Sequence, residues 1–371
     1  MDLTTPEPTS EPTTEPGRFD RAKAFVERHG GWKALLTPVG TPLGLTAALA
    51  TFLWQLDGHV AIRDWMFWDF FLYWVLALFW STSCAAIGHF VVRRVLPDRL
   101  GFHESVAISF GVGVFVFFLA QFLAGLAGLL GTVWFFALPL AFLAIGGPGF
   151  GSMLLAWRRH TARVRRSSGP TPAWTYLALA FGVVVLGLIY FLILSPANIS
   201  FDARWKHLAI AEHYVELGRV APFAEGWYPG TAPHLASFLY AWAFAIPGRA
   251  LPDQLGLAAH MEYVAFLWTL VGIPALVRRI LPDAGVRLTW VVRFLYPGVL
   301  VYDSSLNASA DHLSAIFAAP IFLLLLRAWK DLRPRVCVLL AMMLAGGMLT
   351  KYSSAISLFL FPVLAVLVRA A

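Results

Sequence analysis

Asp202, Arg204, Lys206 and His207 fall within six consecutive residues of a polar stretch, Ser195 to Pro233, that separates long apolar runs. A carboxylate at such a boundary can take a proton as a general base, and cations beside it can hold a phosphate or a developing negative charge. Two other segments carry comparable groups: Asp303 and Asp311 in YDSSLNASADHLS, and Lys351 in GGMLTKYSSA. Each has a plainer reading. Asp202 and Asp311 stand where a helix begins and would serve as N-caps. Lys351, with no acid near it in sequence, would snorkel to an interface. His207, His213 and His234 with Glu212 are metal-ligating types. His207 and His213 are six residues apart, however, and do not share a helical face as an i, i+4 pair does, so they read as structural or solvated. Arg293, inside an apolar run, is a further outlier.

The elements that must position these groups are membrane helices. The 371 residues are 59% hydrophobic and 13% charged, with a mean hydropathy of +0.70, which excludes an ordinary soluble domain. The runs are continuously apolar without a two-residue alternation, so they read as helices rather than barrel strands. Spans are expected at Ala34–Leu56, Phe67–Val92, Glu104–Leu129, a short one at Thr132–Leu143, Trp174–Leu194, Leu257–Val277, Leu288–Tyr302, His312–Leu326, Val336–Leu349 and Ser354–Val368. The predicted fold is all-α, a polytopic integral membrane bundle of about ten spans. Ala203–Leu217, closed by Gly218, reads as a helix lying along the membrane surface, and Pro233–Ile246 as a short helix at or dipping into the outer face.

Residues 1–32 read as a disordered, acidic, Pro- and Thr-rich cytoplasmic tail followed by an amphipathic lead-in, with no signal peptide. The net charge of +7 comes from basic residues gathered in short loops, a cytoplasmic-flank pattern that argues against nucleic acid as a partner. Cys84 and Cys337, far apart in apolar runs, make no disulfide framework. With the Arg-rich loops inside, the Asp202 segment, the loop before Asp311 and the Lys351 turn all emerge on the non-cytoplasmic side. The expected placement is a multi-pass protein of the cell membrane with an extracytoplasmic site.

The order of these elements resembles a known family. FDARWKHLAIAEHYVELGRV, in which Asp202 opens a juxtamembrane helix, followed by GWYPGTAPHLASFLYAWAF, is similar to the first outer loop of GT-C glycosyltransferases. The nearest in style belong to family 39, the protein O-mannosyltransferases and the aminoarabinose transferases of lipid A. NASADHLSAIFAAPIFLLLLRAWK resembles the family's acid opening a span that ends in basic residues, and AGGMLTKYSSAISL its Leu-Thr-Lys turn. The resemblance covers residues 171–371, the catalytic module. The helices of 33–170 precede it with no assigned role, and the module is expected to be incomplete at its C-terminus because relatives continue with more helices.

The resemblance implies transfer of a sugar from a polyprenyl-phosphate donor to a glycan, lipid or protein hydroxyl. Asp202 would be the catalytic base. Lys351, with Arg204 or Lys206, would stabilise the departing phosphate, and Asp311 would orient the acceptor or hold a divalent cation, on which members of the family differ. Trp227 and Tyr228 would line an interface cavity under the sugar. The rival readings are a transporter or lipid flippase, whose charges would have to serve both faces, and a noncatalytic membrane scaffold.

Overall fold

A computed structural model describes residues 31–96, 100–167, 171–194, 199–223, 227, 230, 234–281, 291–292 and 308–370, together with Lys23 and Glu27. The expected tail, the span at Leu288–Tyr302, and Tyr228, Arg293 and Asp303 lie wholly or almost wholly outside these residues. The chain divides into two compact units, Met1–Trp68 and Asp69–Ala371. In the first, α1 (Gly31–Asp57) ends at Asp57, whose carboxylate accepts the Ile62 N–H at 2.8 Å.

The second unit is a helix bundle, with no strand among the described residues. Its elements are α2 (Met66–Val95, which begins just before the unit), α3 (Phe102–Leu126), α4 (Thr132–Ser167), α5 (Ala173–Ile193), α6 (Ala209–Glu216), α7 (Leu235–Phe244), α8 (Leu251–Ile280), α9 (Asp311–Lys330), α10 (Pro334–Thr350) and α11 (Leu360–Ala370). Single π-helical turns, Ala203–Leu208 and Ala355–Phe359, lead into α6 and α11. Six helices among the described residues are long and apolar enough to cross a bilayer: α2, α3, α4 to Arg163, α5, α8 and α9. A protein with these helices is a multi-pass membrane protein. The apolar helices at Pro334–Thr350 and Ala355–Ala370, expected as spans, are shorter than those six.

One expectation changes. The short run at Thr132–Leu143 is the start of a 36-residue helix that continues through Pro139 and Pro148. Prolines are tolerated inside apolar helices whose neighbours re-satisfy the freed carbonyls. Of the segment expected as a short helix at or dipping into the outer face, Leu235–Phe244 forms α7, whose ten residues are all buried among their neighbours. At ~15 Å it is too short to cross. Trp242 anchors it, donating its indole N–H to Phe135 O of α4 at 2.8 Å and stacking on the Phe135 ring at 4.3 Å.

The centre of the unit is α3, which packs against α7, α8, α9 and α10. Glycines permit the closest approaches. A Cβ at Gly88 of α2 would sit 1.8 Å from Ser109 O of α3, one at Gly113 of α3 1.7 Å from Cys84 O, and one at Gly146 of α4 2.1 Å from Ala86 O. Small residues let backbones meet where lipid offers no hydrophobic drive to pack.

Two sets of bonds orient the bundle. Arg327, in the last turn of α9, grips Glu104 in the first turn of α3 through Nε–Oε1 at 2.6 Å and Nη2–Oε2 at 3.0 Å. The helices are therefore antiparallel. At the far end of α3, Gly125 O accepts the Val220 N–H at 2.9 Å, and the Leu130 N–H reaches Gly218 O at 3.0 Å. The segment that follows Asp202 is thereby tied to the same end as the start of α9.

Candidate functional site

Three segments remote in sequence line one cavity of about 520 Å³: Ser200–His207, Ser309–Asp311 and Thr350–Ser353. Asp202, Lys206, Asp311 and Lys351 are all among the lining side chains.

Lys351 arrives there because α10 stops. Its backbone is extended (φ −155°, ψ 133°), and the chain turns at Ser354, whose N–H bonds back to Lys351 O at 3.0 Å. The ammonium then reaches Asp311 Oδ1 at 2.5 Å, so it is an ion pair and not merely a snorkelling lysine. Both side chains remain partly exposed, at 39% and 62%, so water still competes for them. The other oxygen of Asp311 accepts from Ser309 Oγ at 3.1 Å.

Asp311 is positioned by a pinned turn. Ala308 has φ +57°, the left-handed region, which costs a residue with a Cβ roughly 1–2 kcal/mol. Such strain persists only where the surroundings fix it. Here the Glu262 carboxylate, fully buried in α8, accepts the Ala308 N–H at 2.6 Å, and its second oxygen lies 3.2 Å from His312 Nδ1. The Tyr240 hydroxyl donates to Ser309 O at 2.8 Å. Glu262, Tyr240 and Ser309 are site-shaping residues that the motif reading omits. The legible signal was Glu262, an acid inside an apolar run.

Asp202 is not the cap of its helix. The Ala203 N–H bonds to Ser200 Oγ at 3.1 Å, whereas the Asp202 side chain makes no capping hydrogen bond and is 66% exposed. Its near partner is Lys206 Nζ at 3.8 Å. The π turn that follows carries Lys206 and His207, and the second π turn begins four residues after Lys351. Single π turns are enriched at functional sites.

His207 is buried against Ser237, with Nδ1 3.3 Å from the hydroxyl. Burial first, then the charges of Lys206 and Lys351 and the neighbouring His234, push its pKa down to about 4 against a weaker opposing pull from Asp202. It is therefore neutral at pH 7.

No family model matches the chain, and no curated protein or solved structure matches it. The site therefore has to be read from its own geometry. Of the expected residues, Arg204 is exposed and lies outside the cavity lining. Trp227 is half-buried and outside the cavity lining, in an aromatic row running from Phe201 to Trp205 at 6.1 Å, to Trp227 at 6.3 Å and to Phe223 at 4.7 Å. Among the described residues no three His, Cys, Asp or Glu side chains gather as a metal site, and Asp311 Oδ1 is taken by an ammonium. What remains is a cavity lined by two carboxylate–ammonium pairs, Asp202 with Lys206 and Asp311 with Lys351, together with serine and threonine residues. Such a site can take a proton from one hydroxyl while donating to an anion.

Proposed function

We propose that this chain is a GT-C-type membrane glycosyltransferase of about ten spans, which moves a sugar from a polyprenyl-phosphate donor to a hydroxyl acceptor on the non-cytoplasmic face of the cell membrane. The observation that supports this reading is the gathering of Asp202, Asp311 and Lys351, 149 residues apart from first to last, around one cavity.

In this mechanism the Asp202 carboxylate accepts the acceptor's hydroxyl proton. The acceptor oxygen forms a bond to the anomeric carbon as the bond from that carbon to the phosphate oxygen breaks, and the phosphate leaves with the electron pair. Lys351 and Lys206 hold the charge that builds there as preorganised cations. Asp311 keeps Lys351 in place through the 2.5 Å contact and leaves the other ammonium N–H groups for the phosphate. The aromatic row Phe201–Trp205–Trp227 gives an amphipathic edge along which a sugar-bearing lipid can lie.

The test is transfer of labelled sugar from a polyprenyl-phosphate donor by the full chain in proteoliposomes. Asp202→Asn keeps size while removing basicity, so turnover is expected to fall by roughly 10² to 10⁴ with donor binding nearly kept. Lys351→Ala is expected to weaken donor binding as well, because a phosphate charged before reaction loses a partner in the ground state too. Near-normal transfer by Asp202→Asn would remove the base from this residue. Failure of the unaltered chain to bind any such donor would remove the reading.

A further inference from the structure

A second cavity, of about 480 Å³, lies where α2 ends, α3 begins and the later part of α4 passes. It is on the Arg327–Glu104 side of the bundle, away from Asp202 and Asp311. Its wall has two chemistries. Val92, Leu96, Leu100 and Met153 make it apolar, while Arg93 and His160 bring cationic or cation-forming groups with no carboxylate in the lining. Arg93 pairs with no acid among the described residues.

His89 borders this cavity and is 3% exposed, yet neither ring nitrogen has a hydrogen-bond partner among the described residues. An imidazole always carries at least one N–H, so a donor is left orphaned, and native structures rarely leave one so. Ser105, also lining, gives its hydroxyl only to the thioether of Met153 at 3.5 Å, a weak acceptor. The amino-terminal turn of α3 adds its partial positive charge. Trp157, stacked on Phe102 at 4.3 Å and 8°, closes one side with an indole of the kind found at lipid headgroup level.

We infer that this cavity is a binding site for one anionic phospholipid, its phosphodiester held by Arg93, His160, the unpartnered His89 imidazole and the weakly engaged Ser105 hydroxyl, its acyl chains against Val92, Leu96 and Leu100. The cavity favours an oxyanion over a carboxamide or a sugar because its polar lining includes a guanidinium and several groups able to donate, with no carboxylate beside them. It takes a lipid rather than free phosphate because the donors share the wall with aliphatic side chains at the end of membrane helices. The inference is independent of sugar transfer at the other end.

The experiment uses the full chain in a neutral detergent, with phosphatidylglycerol, phosphatidylcholine or inorganic phosphate added and retention read by native mass spectrometry. One phosphatidylglycerol is expected to be retained. Arg93→Gln with His160→Gln should weaken that retention by about tenfold or more, since each basic group near a lipid phosphate contributes appreciably. Arg158→Gln with Arg159→Gln, outside the lining, and Lys351→Ala, at the opposite end, should leave it unchanged. Equal retention of phosphatidylcholine, displacement of the lipid by inorganic phosphate, or an equal loss in the Arg158 and Arg159 variant overturns the inference. Should the Arg93 and His160 variant fail to melt cooperatively, Ala156→Phe fills the same cavity from an exposed position of α4. Undiminished phosphatidylglycerol retention by that variant overturns it equally.

Discussion

The two ends of α9 carry charge in opposite ways. At Arg327 the guanidinium meets Glu104 through two parallel hydrogen bonds, and the two side chains are only 16% and 11% exposed. At Asp311, ~24 Å away along the helix, the carboxylate meets Lys351 through a single contact beside an open cavity, and both groups keep much of their exposure. A bidentate pair largely withdrawn from water serves packing and register. A half-solvated pair with spare N–H donors can exchange partners, so the same residue types are structural at one end and available at the other.

The contrast breaks first if the two ends do not face opposite sides of the membrane. In a Cys337→Ser background, Ser353→Cys is expected to react with an impermeant maleimide from outside, and Ser167→Cys only after permeabilisation. Labelling of both from one side would end the two-faced arrangement.

Next in size is Arg327→Ala, which strands the buried Glu104 carboxylate and should cost about 3–5 kcal/mol, seen as a large fall in melting temperature. Glu104→Leu with Arg327→Met should recover most of it. If the single variant melts like the unaltered protein, the pair is not the structural one.

A smaller effect is expected from His207. Its pKa is about 4 in the fold against an ordinary 6.5, so as pH falls through 6.5 the unfolded chain takes a proton that the folded chain refuses. The stability contributed above 6.5 is lost between 6.5 and 4, up to ~3 kcal/mol. His207→Gln should flatten that part of the melting-temperature profile, and an identical slope in the variant would show that this imidazole is not buried neutral. Smallest is Lys206→Gln. Its pair with the largely exposed Asp202 is screened by water and should alter stability by ~0.3–0.5 kcal/mol or less. A loss of several times that would mean that the cavity end is as structural as the Arg327 end.

Much of this was legible in the residues. The apolar runs mark the helices, and the polar types of Asp202, Asp311 and Lys351 stand out against them and meet at one cavity. The partner of Lys351 was not legible, because Asp311 lies 40 residues away and only the hairpin of α9 and α10 brings them together. The length of α4 was hidden by Pro139 and Pro148, which end helices in water but not in a packed apolar bundle. Asp202 has a capping reading beside its chemical one because Asp favours helix starts, whereas the hydroxyl of Ser200, two residues earlier, accepts the Ala203 N–H and the Asp202 carboxylate stays exposed. The π turns have no side-chain signature at all. They are a register slip of one residue, visible only in the hydrogen-bond ladder.

The glycine contacts at Gly88, Gly113 and Gly146 have a mechanical consequence. With backbone carbonyls filling the places where three β-carbons would be, α2 cannot slide along α3, nor α4 along α2, by even the 1.5 Å rise of one residue without driving a side chain into a carbonyl. These three helices behave as one stiff splint. The cavity around Lys351 is bordered instead by two π turns, wound one residue wider than the α-helices they lead into.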